Sequence, residues 1–419
     1  MTERQYDAGD TAETAEEVEP IRLSGPWLNE DPAELYERIR RTYGPVAPVL
    51  LEGDLPAWFV CGYAELERVT ADSRLFARDT RRWNAWDRVP DDWSLLAYVL
   101  YNTSVMFTEG PLHQRRSAAI SDALADVDQF ELVSLCERIA DRLIDEFAGS
   151  GKADLIGQYA ELIPLSAVAA IYGMPETETP GLVRDIASSM DSGGPESMEA
   201  YDRVRERMRL LVETKREHPA PDVPSRLIAH PAGLEDEEIV LDLLVLLSTA
   251  HQPTANWIGN TIRLLLTDAR FAADLAGGRA SVGQALNEVL WRDTPMQNFI
   301  GRVASRDTML GGRQLRAGDL VVLGLAAANA DPAVRTAGRD TAGNSAHLSF
   351  GQGEHGCPYP APELAEVIAR TSVEVLLDRL PDLALAVPPD ALRWRDSVLL
   401  RGLTGLPVHF SPTYPVRGH

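Results

Sequence analysis

The chain has 419 residues, 45% of them hydrophobic and 25% charged, with a formal net charge of −23. That is ample apolar material for a large packed core, and it excludes nucleic acid or an anionic membrane as the main partner, since both demand a cationic footprint. Three widely spaced cysteines, Cys61, Cys136 and Cys357, form neither a disulfide framework nor a CxxC zinc pattern and point to a reducing, cytoplasmic setting.

The first residues, MTERQYDAGDTAETAEEVEP, have no basic start and no apolar stretch, so no signal peptide is expected, and residues 1–20 read as a disordered acidic tail. No run reaches the roughly 18 uncharged apolar residues of a membrane span. From about residue 31 a helical pattern, two short apolar strands about a turn and a second helix follow one another. The segment RRWNAWDRVPDDWSLLAYVLY, residues 81–101, is rich in aromatics and reads equally as a substrate wall or as core. Residues 110–270 repeat apolar side chains at three- and four-residue steps and read almost wholly as helix. The longest helix runs from about Leu234 to Thr267, roughly 50 Å at 1.5 Å per residue, and is apolar on most faces, which places it inside the molecule. After it come a further helix, a strand-rich stretch with turn signals, a polar loop, the segment HLSFGQGEHGCPYPAPELAE and a last helix. The fold class is mainly α with small β-sheets, and residues 21–419 read as one domain.

The lone Cys357 sits among Gly351, Gly353 and Gly356, after a strand-like AHLSF and before a helix. Glycines let the backbone turn tightly and approach a flat ligand, and a thiolate near a helix start is favoured by the macrodipole. A metal ligand and a small buried apolar cysteine are both compatible with spacing alone.

Here the chain resembles the cytochrome P-450 haem-thiolate monooxygenases. Their signature Phe-Gly-x-Gly-x-His/Arg-x-Cys-x-Gly is matched by Phe350, Gly351, Gly353, His355 and Cys357, with Tyr359 in place of the last glycine. LPAWFVCGYAELERVTADSRLFARD, GPLHQRRSAAI and ANADPAV agree in order with other parts of that family, so the resemblance spans about residues 25–415. It implies the cytochrome P-450 fold, with haem b, iron protoporphyrin IX, between the long central helix and the cysteine-loop helix. Cys357 would be the proximal iron ligand, whose thiolate pushes electron density toward bound oxygen. Phe350 and Gly351 would line the cofactor. His113, Arg302 and His355 would meet the propionates, and Arg116 would substitute for the family's usual arginine, since Ser117 stands at its position.

Three departures bear on mechanism. The central helix normally carries Ala/Gly-Gly-x-Asp/Glu-Thr over the iron, whereas here Thr249, Ala250, His251, Gln252 and Pro253 stand there, followed by Thr254. Gln252 does not ionise, Pro253 has no hydroxyl, and a proline within a helix kinks it and frees the carbonyl of Thr249. Thr254 or His251 replaces the lost proton donor only if rotated inward. Next, the family's Glu-x-x-Arg is Glu288-Val289-Leu290-Trp291. Trp291 reads as an apolar packed substitute, Glu288 as seeking donors in the following loop, and Arg292, about 100° further round, as facing elsewhere. Last, Pro358 and Pro360 after the cysteine have no N–H to offer the sulfur, so a low Fe(III)/Fe(II) potential is expected.

The resulting expectation is an oxidase of a small hydrophobic organic substrate. The site would centre on Ala250, His251, Gln252 and Thr254, and a ferredoxin or flavodoxin would supply electrons by docking at an arginine patch around Arg115 and Arg116. A haem-binding sensor or partner module with impaired oxygen activation, and a peroxide-driven oxidase, are the alternatives that the departures raise.

Overall fold

The computed structural model describes residues 19–23, 32–190, 195–276, 281–335 and 344–415. The acidic tail up to residue 18 and residues 336–343 of the polar loop lie outside them. Strand β1 (Ile21–Arg22) precedes α1 (Pro32–Tyr43), and β2 (Val46–Leu51) and β3 (Leu55–Val60) then form a hairpin. α2 (Tyr63–Ala71), β4 (Phe76–Ala77) and α3 (Leu96–Val99) follow. The helical part comprises α4 (Gly110–Ala125), α5 (Gln129–Phe147), β5 (Lys152–Asp154), α6 (Leu162–Ile171), α7 (Thr179–Met190), α8 (Pro195–Glu217), α9 (Val223–Ala229), α10 (Asp236–Thr267), α11 (Ala269–Ala276) and α12 (Val282–Arg292). The chain ends with β6 (Phe299–Ala304), β7 (Thr308–Leu310), β8 (Arg313–Leu315), β9 (Leu320–Leu323), α13 (Leu325–Asn329), α14 (Ala361–Arg379), β10 (Ala384–Leu385) and β11 (Pro407–His409).

α10 starts where Glu235 and Glu238 close a reciprocal capping box and Asp236, Glu237 and Glu238 complement the positive helix end. It runs unbroken through Pro253 for 32 residues and packs against α6, α8, α12 and α14. Its buried leucines and isoleucines lie at the centre of the main core, where each stabilises by about 1.5–3 kcal/mol relative to exposure. The expected central helix is therefore present, with its start at Asp236.

The main sheet has the order β1-β2-β3-β9-β6-β4. Alternation along β3 sends Leu55, Ala57 and Phe59 toward α1 and Val60 toward α2, the two-residue period of a sheet covered on both faces. One reading fails locally. Residues 152–160 continue no helix: Gly151 takes φ +69 at the end of α5, Ala153 pairs with Val408 of β11, and a single π turn over Ile156–Ala160 leads into α6. Asp154 Oδ1 accepts the N–H groups of Leu406 at 2.8 Å and Ile156 at 3.1 Å, so a pairing distant in sequence overrides the local apolar period.

Candidate active site

The start of the cysteine loop is held in place by Asn329. Asn329, fully buried at the end of α13, accepts the Leu348 N–H at 2.7 Å and donates from Nδ2 toward Leu290 O, Thr294 Oγ1 and Ser349 Oγ at 3.0–3.2 Å. The stretch AHLSF is thus not a strand; side chains pin it to the end of α12. The loop then turns through Gly351 and Gly353, both at φ +70. A Cβ on Gly353 would lie 2.3 Å from Thr70 O, so only glycine lets the loop rest on α2. The Cys357 N–H closes the loop on Phe350 O at 2.9 Å.

Cys357 is exposed, whereas Cys61 and Cys136 are buried. Its thiol is reachable yet ringed by protein, and that desolvation pushes it up to about 11. Among the described residues no hydrogen bond to its sulfur is found. Pro358 and Pro360 supply no N–H there.

Beside the loop lies a cationic cluster. The rings of His113 and His355 stack with centroids 4.0 Å apart. His113 Nδ1 and Nε2 face Val105 O and Glu354 O, both at 2.9 Å, and His355 Nε2 faces Thr108 O at 3.1 Å. Arg302 Nη1 lies 3.3 Å from His355 Nδ1. Arg78, a residue that motif reasoning missed, lies beside Arg302. Both guanidinium groups are buried, and Arg78 Nη2 and Arg302 Nε have no hydrogen-bond partner. Burial pulls Arg302 down to about 10; burial and the Arg302 charge pull Arg78 down to about 9. The one sign of Arg78 in the sequence is a charge directly after the apolar LFA of SRLFARD.

On α10, Trp257 meets Phe350 edge-on with centroids 5.8 Å apart, which fixes the helix face turned to the cysteine loop. Ala250, Pro253 and Thr254 lie within about 60° of that direction, and His251 and Gln252 about 120° or more away. His251 accordingly turns to the start of α6, with Nε2 3.0 Å from Glu161 O, and burial pulls it down to about 4, leaving it neutral. Gln252 and Thr254 are both buried, and Gln252 Nε2 is unpartnered. Of the expected relay residues, then, Ala250 and Thr254 share the loop-facing side and His251 and Gln252 do not.

The remaining expectations divide. Trp291 is buried, donates its indole N–H to Asn344 O at 2.9 Å and packs edge-on against His347 at 6.0 Å. Glu288 finds the loop residue Arg335 at 3.7 Å. Arg292, expected to face elsewhere, also reaches Glu288 at 3.7 Å, because residues four apart are neighbours on a helix. The docking patch needs correction: Arg116 is fully buried, with Nε and Nη2 2.8 and 2.6 Å from Asp242 and Nη2 2.9 Å from Glu238 O, while Arg115 is paired to Glu238. Arg116 fastens α4 to α10, and the structure does not bring it into the cluster of His113, Arg302 and His355. In the aromatic segment, Trp83 and Trp93 are core residues beside Leu51, Leu55, Leu399 and Leu400.

The donor set fits a flat group with a metal at its centre and carboxylates on its edge: a reachable thiol on a glycine-rich loop, and buried guanidinium groups with N–H bonds to give. Fold and donors together define a helical protein of the haem-thiolate class. No protein-family model matches the sequence. Cytochrome P-450 107B1 of Saccharopolyspora erythraea is 30% identical over 94% of this chain and 99% of its own. Vitamin D(3) 25-hydroxylase of Pseudonocardia autotrophica is 30% identical over 92% and 95%. Among solved structures, CYP154C4 of Streptomyces sp. W2061 superposes with a TM-score of 0.83 at 26% identity, covering 96% of this chain and all of that one. A myxobacterial relative, CYP267B1, in complex with myristic acid gives 0.81 at 25%, covering 93% and 98%. The chain belongs to the cytochrome P-450 family: it is a haem-thiolate monooxygenase, and no helix among the described residues is long and apolar enough to cross a membrane.

Proposed function

We propose that Cys357 binds the iron of haem b, that His113, His355 and Arg302 hold its propionates, and that Phe350 and Gly351 line it. The protein then hydroxylates a hydrophobic organic substrate in the cytoplasm with O2 and electrons from a ferredoxin or flavodoxin. The observation that carries this reading is the reachable Cys357 thiol on a loop pinned by Asn329, beside buried cations. Bound there, the haem thiolate supplies activation of dioxygen.

The chain's own groups do the rest. Thr254 brings a hydroxyl to the loop-facing side of α10, one turn from Trp257. Ala250, with no more than a methyl group, leaves room on the same face. Gln252 and His251 turn away and hold no proton over the loop. The Phe350 carbonyl engages the Cys357 N–H, which leaves the sulfur electron-rich.

The test is the absorbance of the reduced, carbon-monoxide-bound protein. The red-shifted Soret band of thiolate ligation is expected for the native chain and its loss for Cys357→Ala; an unchanged spectrum in that variant overturns the assignment. Turnover with ferredoxin, ferredoxin reductase and NADPH, absent with hydrogen peroxide alone, is expected. Product with peroxide alone reverses the electron-supply reading, and the absence of an acid and an alcohol at Gln252 and Pro253 is what favours that second possibility.

A further inference from the structure

We propose that Arg78 is the main anchor of a buried carboxylate-binding site that it forms with Arg302 where β4, β6 and the start of α4 meet. This rests on the haem reading above and adds to it a residue that lies outside the family's signature. The carboxylate belongs either to a haem propionate or to an acidic organic substrate, and the test separates the two.

The site is built around the arginine. Arg78 is 1% exposed, and its guanidinium lies between two aromatic rings, 5.3 Å from the centroid of Phe107 and 4.9 Å from that of Phe299. Nε donates to Met106 O at 2.9 Å, and Nη1 to Ile300 O at 3.1 Å and Gly301 O at 2.7 Å. These neutral carbonyls orient the fork without balancing its charge. Nη2 is buried and has no partner, as is Nε of Arg302 beside it. Space is reserved as well: Gly301 sits at φ +103 at the bulge of β6, and a Cβ there would lie 2.8 Å from Arg78 Nη1.

Charge balance within the chain is incomplete. The carboxylates that act on this pair are Glu109 and Glu354. Glu109 already accepts the backbone N–H groups of Arg78 and Asp79 at 2.6 and 2.9 Å and lies 3.5 Å from Arg82. Glu354 is bonded by Ser73 and Gln114. Two adjacent buried guanidinium groups with free N–H bonds thus lack a matching buried anion. A carboxylate, whose two oxygens each accept charge-assisted N–H bonds, is the complement to the two unpartnered donors, Arg78 Nη2 and Arg302 Nε. A structural arginine would instead have its donors satisfied within the fold, as those of Arg116 are by Asp242.

The experiment compares the native holoprotein with Arg78→Met and Arg78→Lys in two arms. In the first, haem transfer to excess apomyoglobin is timed after loading with protohaem or its dimethyl ester. If Arg78 holds a propionate, Arg78→Met releases protohaem roughly tenfold or more faster, Arg78→Lys falls between, and the dimethyl ester is released at similar rates from all three. In the second, tetradecanoic acid and its methyl ester are titrated by the haem spin-state shift. If the carboxylate is the substrate's, Arg78→Met leaves haem release unchanged and removes roughly tenfold or more of the preference for acid over ester. Unchanged haem release together with an unchanged acid preference overturns the proposal. So does equal acceleration with protohaem and its ester, which marks a packing role. Should Arg78→Met not fold, Arg78→Lys, which keeps the charge and loses the fork, decides on the same readings. Failure of the native chain to bind haem defeats the earlier reading and is distinct from all of these.

Discussion

Replacing Arg116 by methionine should destabilise the protein severely, and Asp242 is the reason. Both side chains are 0% exposed, with Nη2 2.6 Å from Oδ1, and the second carboxylate oxygen receives Nε at 2.8 Å. Burial pushes the Asp242 carboxyl up against the opposing pull of Arg116 and of the Val105 N–H at 2.7 Å. Without the guanidinium, the carboxylate keeps that one backbone donor in a site sealed between α4 and α10. Removing one partner of a buried pair costs about 3–5 kcal/mol, a factor of roughly 10² to 10⁴ in the unfolding constant. The double variant Arg116→Met with Asp242→Leu should recover to within about 1 kcal/mol of the native chain, because no charge is left stranded. Urea unfolding of the haem-loaded protein at pH 7 reads all three. The stranded Asp242 has a folded-state value above its unfolded one, so the folded state takes up its proton first and the deficit of Arg116→Met shrinks as pH falls from 7 toward 5. A single variant that loses less than about 1 kcal/mol, or a double variant no better than the single one, refutes the reasoning.

Asn329→Ala should leave the Leu348 N–H without its acceptor and cost about 1–3 kcal/mol. Hydrogen exchange at Leu348 should accelerate while exchange in the middle of α10 stays slow. His251 at about 4 lies below its ordinary 6.5 because burial disfavours the charged ring; the unfolded chain is protonated first, so stability is lost as pH falls from 6.5 to 4, by up to about 3 kcal/mol. His347 is depressed to about 4 in the same way by burial, so the measurement is the difference in slope between the native chain and His251→Gln, which should unfold with a weaker pH dependence over that window. Pro358→Ala restores a backbone N–H next to the sulfur and should raise the Fe(III)/Fe(II) potential, which a potentiometric titration checks.

Much of this molecule was legible in its residues because the informative signals are local. The apolar run of α10 located the central helix to within two residues, and the glycines around Cys357 marked a tight loop at a thiol. What stayed hidden depends on contacts between distant segments. β5 has three residues, too few for a period, and is paired by the C-terminal strand. Arg116 was placed by its neighbour in sequence, Ser117, whereas its surroundings are set by Asp242, 126 residues away. The pinning role of Asn329 and the burial of Arg78 leave no periodic trace. Trp83 and Trp93 could be sorted between a substrate wall and core only once Leu399 and Leu400 were seen beside them. His251 and Gln252 differ from Thr254 by only a few positions, but the face each occupies followed from the contact of Trp257 with Phe350.

The amides along α10 limit what the molecule can do when it admits a guest. Asn260 Nδ2 donates to Asp293 O and Arg401 O at 3.1 and 2.9 Å, and Gly402 sits so close to Asn256 that a Cβ there would be 2.0 Å from Oδ1. A shift of the helix by one residue, about 1.5 Å along its axis, would break both contacts and drive the segment around Gly402 into the amide. The long helix is therefore a stationary keel, tied through its C-terminal half to Asp293 after α12 and to the segment around Arg401 and Gly402.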